Sequence, residues 1–172
     1  PTKASAGYVK SVFDSYATSF ESSLAGLGYQ GPNLLKQALE KLELDATNTL
    51  IAMDAGCGTG LSGPVLKPFV KRLYGVDLSP EMLKLAKAKG VYHRLLEDDL
   101  VNGLNAFEDH FHLISSMDVL IYFGELHSVF EASYKALKGQ GNLIFTVEAN
   151  DQDSDHRLSQ SGRYLHSLEY IE

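Results

Sequence analysis

The 172-residue chain is about one domain long, and its 44% apolar content is enough for a substantial core, which excludes a second independent catalytic domain. An aromatic content of 10% against 22% charged residues excludes wholesale disorder. The net charge is −7, with 10 basic and 8 acidic groups in residues 1–90 but 5 and 14 in residues 91–172, so neither half offers the basic surface that holds a nucleic-acid backbone.

Tyr8, Val9, Val12, Phe13, Tyr16 and Phe20 recur at the spacing of one helical face, predicting a helix over residues 8–21 that Gly26 and Gly28 interrupt. Pro32 starts a second helix over 33–44, with Leu34, Leu35, Ala38 and Leu42 as its apolar members. Both precede the first strand, so residues 1–48 read as a helical cap or lid. That strand is TLIAMDA (49–55). A helix over roughly 61–73 follows, with Pro68 as a kink or break, then a short strand LYGVD (73–77). Ser79 caps the next helix, with Pro80 at its first position and Met82, Leu83 and Leu85 as apolar contacts.

VYHRLL (91–96) is a third strand, Glu97, Asp98 and Asp99 form an acidic turn, and an apolar segment around Leu104 to Phe107 leads to a fourth strand, FHLISS (111–116). A helix over 123–137 is expected to end at Gly139 and Gly141, before a fifth strand, NLIFTVEA (142–149). Five strands joined by helical crossovers over residues 49–150 predict a doubly wound, predominantly parallel α/β sheet of the Rossmann-like kind. Residues 151–172 read as a polar loop and the start of a helix.

The strongest local signal is MDAGCGTGLSG, in which Gly56, Gly58 and Gly60 follow an apolar strand and precede a helix. Glycine permits tight turns and close ligand approach where a Cβ obstructs both. Gly58, Gly60 and Gly63 also spell G-x-G-x-x-G, and Asp77, seventeen residues past Gly60, stands where a strand-end carboxylate accepts ribose hydroxyls. Asp54 separates two ligand classes. A carboxylate just before the turn repels a pyrophosphate but pairs with an ammonium, which favours an adenosyl ligand with an amino-acid tail over a dinucleotide.

LIAMDAGCGTG, YGVDLSPEML, EDDL, LISSMDVLIYFGEL and GQGNLIFTVEA together resemble the class I S-adenosylmethionine-dependent methyltransferases over residues 49–149. VFDSYATSFE resembles the helical lid of many members, and SGRYLHSLEYIE the segment after the fifth strand in a subgroup acting on small molecules or on unknown substrates. The resemblance implies S-adenosyl-L-methionine as cofactor and methyl transfer to a small-molecule acceptor. It places Gly56, Cys57, Gly58, Thr59 and Gly60 around the methionine portion, Asp54 near its ammonium and Asp77 on the ribose. Leu78 and Met82 would flank the adenine, with Asp99 as its acid, Asp98 as the alternative one register away, and the Leu100 N–H nearby. Ser116 would complete the site through its backbone, with Met117 against the adenosyl group. Members usually continue past the fifth strand into a further helix and a two-strand hairpin, so the chain is expected to lack that hairpin and to be incomplete at its C-terminal end.

Asp118, Tyr122 and His127, after the fourth strand, form one candidate acceptor group; His156, Arg157, Arg163, Tyr164 and His166 form another. Neither yields a firm catalytic assignment. Tyr16 and Phe20 are candidates for covering the donor, and Cys57 reads as an inert buried thiol. His110 and His112 share a strand face without a third ligand, and Asp151, Asp153 and Asp155 start like a calcium loop but have His156 and Gly162 where that loop needs Gly and Glu. A single cysteine suits a reducing compartment, and the absence of an 18-residue apolar run or a signal-peptide pattern makes a cytoplasmic protein without nucleic-acid or membrane partners the expectation, with oligomeric state open. Two alternatives remain at this point: a non-enzymatic adenosyl-metabolite-binding module and a dinucleotide-dependent oxidoreductase.

Overall fold

Hydrophobic residues of the central strands alternate between two apolar clusters, and that alternation sets the layers. In β1 (Leu50–Ala55), Ala52 faces one cluster and Met53 and Ala55 the other; in β4 (Phe111–Ser116), Leu113 and Ile114 divide the same way. A sheet apolar on both faces needs cover on both. α3 (Gly31–Lys41) and α4 (Gly63–Leu66) close one face through Leu35, Leu39 and Leu66. α6 (Leu100–Asn105) and α7 (His127–Ala136) close the other through Leu104, Val129 and Ala132.

The computed structural model describes residues 3–172, so the first two positions of the expected N-terminal cap lie outside it. The strands β1, β2 (Val70–Asp77), β3 (Arg94–Glu97), β4 and β5 (Leu137–Phe145) form one sheet in the order β3-β2-β1-β4-β5, with every pair parallel. This is the expected five-stranded Rossmann-like sheet. The strand order reverses between β1 and β4, and the crevice at the carboxyl ends of such strands is where this architecture binds ligands.

Four local expectations need correction. Only Gly63–Leu66 is helical in the 61–73 segment, and Val70–Asp77 is one eight-residue strand. Pro68 has no N–H to continue a helix, and the carbonyls of Pro68 and Phe69 instead accept from Asn48, Thr49 and Leu50, which starts the β1–β2 ladder early. The single helix over 8–21 is in fact α1 (Ala6–Tyr16) and α2 (Phe20–Gly26), separated by a 3-10 turn at Ala17–Ser19. Gly139 and Gly141 do not end α7, which stops at Ala136. They lie inside β5, where Phe111 pairs with Leu137 but Leu113 with Asn142, and the extra residues bulge out through Gln140 at φ 66°.

The expected polar loop after Asn150 contains two strands. β6 (Glu148–Ala149), β7 (His156–Leu158) and β8 (Tyr164–His166) make a separate sheet in the order β6-β8-β7, followed by α8 (Leu168–Ile171). Gly124 lets this sheet dock beside the β4 loop: a Cβ there would lie 2.7 Å from the Tyr164 ring and 2.9 Å from His156. Among the described residues no helix is long and apolar enough to cross a membrane.

Candidate active site

Gly56, Gly58 and Gly60 adopt φ of 78°, 51° and 85°, so the turn after β1 sits in the left-handed region that glycine occupies without a Cβ penalty. Its surroundings differ from residue to residue. A Cβ on Gly58 would meet nothing within 4 Å, whereas on Gly60 it would lie 2.9 Å from the Tyr92 ring and 3.1 Å from the Ala86 Cα. The turn is tied to β2 by Asp77, whose Oδ2 accepts from Gly58 N and Oδ1 from Ser79 N, both at 2.9 Å. Burial raises the Asp77 carboxyl above its usual range while these N–H groups pull it back.

Gly56, Cys57, Gly58, Thr59, Asp77, Leu78, Asp98, Asp99 and Leu100 all line a single cavity at the carboxyl ends of the strands. Asp54, Gly60, Met82 and Ser116 do not. Asp54 is buried beneath the turn with Tyr92 donating to its Oδ2 at 2.6 Å, and burial pushes its carboxyl up to about 7. Met82 is fully buried in α5 (Pro80–Ala88), and the Ser116 hydroxyl donates to the Ala55 carbonyl at 3.0 Å. Asp99 caps α6 by accepting from Val101 N and also receives the Lys3 ammonium at 2.5 Å. Cys57 is buried, and burial raises its thiol.

The N-terminal helices form the roof. Val9 and Phe13 of α1 and Phe20 and Leu24 of α2 line the cavity, whereas Tyr16 does not and is 49% exposed. Polar contacts hold this roof down: Ser79 Oγ donates to Asp14 at 2.5 Å, Lys10 pairs with Glu97 at 2.9 Å, and Lys89 with Glu21 at 2.7 Å. Lys3 and Ala4, also cavity residues, follow the backbone at Phe123 and Tyr122. Sequence periodicity marked Val9, Phe13 and Phe20 as one apolar face, but nothing in it signalled Lys3 or Tyr29, which depend on tertiary placement.

The far end of the cavity is polar. Tyr29, Asp118, Tyr122 and Arg163 meet there, the Arg163 guanidinium donating to Glu148 and lying 3.4 Å from Asp118. Burial raises the Asp118 carboxyl, with Arg163 opposing, and pushes the Tyr29 phenol up to about 12. Asp118 itself has φ 60°, with its N–H donating to Thr146 Oγ1 at 2.7 Å. Of the other expected acceptor residues, His127 is on the surface beside Glu131, Arg157 donates to Asn150, and His166 is bonded to the Gly124 carbonyl. His112 Nδ1 accepts from Ile51 N, and His110 packs among Tyr74, Phe107 and Phe111. Among the described residues no three His, Cys, Asp or Glu side chains group to hold a metal ion.

A family model described as a methyltransferase domain matches residues 53–145, more than half the chain. The chain belongs to this methyltransferase domain family. Among curated relatives, the methyltransferase domain is 33% identical over 123 residues to the malonyl-[acyl-carrier protein] O-methyltransferase of Priestia megaterium, covering 69% of this chain and 44% of that protein. It is 36% identical over 84 residues to human methyltransferase-like protein 27, covering 48% of this chain and 34% of the relative. The chain thus spans less than half the length of these curated relatives. A SAM-dependent methyltransferase of Leishmania major shares its fold, with a TM-score of 0.78 at 15% identity over 96% of this chain and 69% of the other.

Proposed function

We propose that the methyltransferase domain binds S-adenosyl-L-methionine in the cavity above the glycine-rich turn and transfers its methyl group to a small-molecule acceptor. The observation that carries this reading is the continuity of one cavity from the Gly56–Thr59 turn, through Asp77 and Asp98, to Asp118, Tyr122 and Arg163. When bound, the donor would supply a cationic sulfonium whose methyl carbon takes an electron pair from the acceptor as its carbon–sulfur bond breaks, leaving a neutral thioether. The residues present fit such a molecule: Asp77, Asp98, Asp99 and Asp118 outnumber Lys3 and Arg163 along the wall, the balance a cationic ligand needs, and Leu78 and Leu100 give a flat ring apolar contact. Gly58 leaves open space where a side chain would obstruct the methionine portion. Similarity to relatives named as O-methyltransferases, 33% identical over 123 residues and 27% identical over 143, supports the same chemistry.

Positioning and water exclusion do most of the work in a displacement of this kind. α1 and α2 cover the cavity with apolar side chains, and the polar end orients the acceptor. Asp118 lines that end and can take a proton where the acceptor carries one. The supporting contacts also argue for three functional regions: residues 1–48 as cap, 49–150 as donor-binding core, and 151–172 as the acceptor-side segment that delivers Arg163. A reducing, cytoplasmic setting, with no nucleic-acid partner, belongs to the same proposal and rests on one buried thiol and an acidic chain.

Isothermal titration with S-adenosyl-L-methionine and its demethylated product, followed by a methyl-release screen over small-molecule acceptors, tests this. Saturable binding with acceptor-dependent release is the expected result. Absence of binding overturns the donor assignment, and binding without turnover across the screen identifies a metabolite-binding module instead.

A further inference from the structure

Tyr92, between α5 and β3, is the side chain around which the glycine-rich turn is built. Its ring passes between three glycines: a Cβ would come within 2.9 Å of the ring at Gly60, and within 3.1 Å at Gly63 and at Gly75 of β2. Its hydroxyl ends 2.6 Å from Asp54 Oδ2, at a carboxyl only 2% exposed. The glycines at 60, 63 and 75 therefore leave room for a protein side chain, and Gly58 alone of these positions opens onto empty space. A hydroxyl delivered so deep against a buried acid has a specific consequence for that acid.

We propose that Tyr92 is the positioning residue of the donor's ammonium site, its hydroxyl clamping the Asp54 carboxylate beneath the glycine-rich turn. The inference rests on the donor reading above and deepens it. An ionised carboxylate in a dry site is stabilised only by what donates to it or carries positive charge. The groups facing Asp54 are Tyr92 before β3, Asp77 at the end of β2, Cys57 in the turn, Ser115 on β4 and, farther off, Tyr29 before α3. None of them is a cation. Burial and Asp77 push the Asp54 proton on, and the Tyr92 hydrogen bond is the largest effect in the other direction. Asp54 lies beneath the turn and off the cavity wall, so the ammonium of a donor seated above supplies the missing positive charge from across the turn, and the carboxyl proton leaves to solvent as it binds. Tyr92 lowers the cost of that release and holds the acceptor oxygen in place.

Tyr92→Phe keeps the ring that fills the glycine socket and removes only the hydroxyl. The probe is the demethylated donor product, S-adenosylhomocysteine, titrated calorimetrically at pH 6 and pH 8.5. Wild type releases a proton on binding at pH 6 that it no longer releases at pH 8.5. The variant binds about tenfold more weakly at pH 6 and within about twofold of wild type at pH 8.5, because losing one hydrogen bond to the charged form raises the proton affinity of the carboxyl by about one decade. In the ligand-free proteins, the carboxyl-carbon NMR signal of Asp54 titrates at higher pH in the variant. An equal loss of affinity at both pH values, or an unmoved Asp54 titration, overturns the proposal. Failure of wild type to bind the product at either pH instead sinks the donor reading, while the ligand-free titration still decides whether Tyr92 lowers the proton affinity of Asp54.

Discussion

The backbone N–H of Gly58 donates to Asp77 Oδ2 across 2.9 Å, joining the turn after β1 to the end of β2 from nineteen positions away. Asp77 therefore shapes the floor of the cavity as well as lining it. Asp77→Asn keeps the size of the side chain but weakens acceptance, and we expect affinity for the demethylated product to fall about 10- to 100-fold by titration, in line with a lost charge-assisted hydrogen bond. An unchanged affinity in the folded variant would overturn the expectation that Asp77 binds the donor's ribose.

Glycines in the same turn separate binding from stability. Gly58→Ala places its Cβ in open space, so its folding cost is the left-handed backbone alone, about 1–2 kcal/mol, while the methyl enters the cavity and blocks the ligand. Gly60→Ala carries the same strain and also meets Ala86 and Tyr92, raising the cost to about 3 kcal/mol. Paired melting and titration experiments should show Gly58→Ala as the weaker binder of the two for its stability. The reverse order contradicts the geometry.

Asp54 makes stability depend on pH. Its carboxyl is raised from 3.8 to about 7 by burial, so the folded state holds a proton that the unfolded chain has released. With more protons bound in the native state, stability is greatest below pH 4 as far as this group is concerned and falls as pH rises towards 7. Asp54→Asn removes the group, and chemical denaturation should show it more stable than wild type at pH 8, by about 2–4 kcal/mol, with a flatter profile between pH 4 and 7. The same variant should bind the demethylated product more weakly.

Ser79 serves two elements at once. Its fully buried hydroxyl accepts from Met82 N at the start of α5 and donates to Asp14 on α1. Ser79→Ala should cost about 1–2 kcal/mol in denaturation, the usual worth of a lost N-cap, and should also speed proteolysis within α1. Asp14→Ala frees α1 alone, so it should reproduce the proteolysis with a smaller loss of stability.

Much of this was legible in local chemistry. β1 and β4 were visible because each is a short apolar run bounded by turn residues, and α5 because Ser79 and Pro80 mark its start unambiguously. The residues lining the near end of the cavity fall close together in sequence: glycine spacing singles out Gly56, Gly58 and Asp77, and the family resemblance adds Cys57, Thr59, Leu78, Asp98, Asp99 and Leu100. What stayed hidden was set by distant partners. β7 and β8 are three residues each, and their pairing is fixed by docking against Gly124. Tyr92 looked like one member of a third strand, since nothing local to VYHRLL reveals a hydroxyl reaching Asp54. Gly139 and Gly141 have the composition of a stop but sit in a bulge that β4 dictates.

Lys3 and Arg163 border the same cavity from opposite ends of the chain. Synthesis runs from the first of these residues to the second, and the central strands emerge well before β8. A growing chain can therefore form the turn at Gly58 and its tie to Asp77 while the wall that faces Asp118 has yet to be made. The order of translation thus separates formation of the glycine-rich turn and its tie to Asp77 from completion of the cavity wall at Arg163.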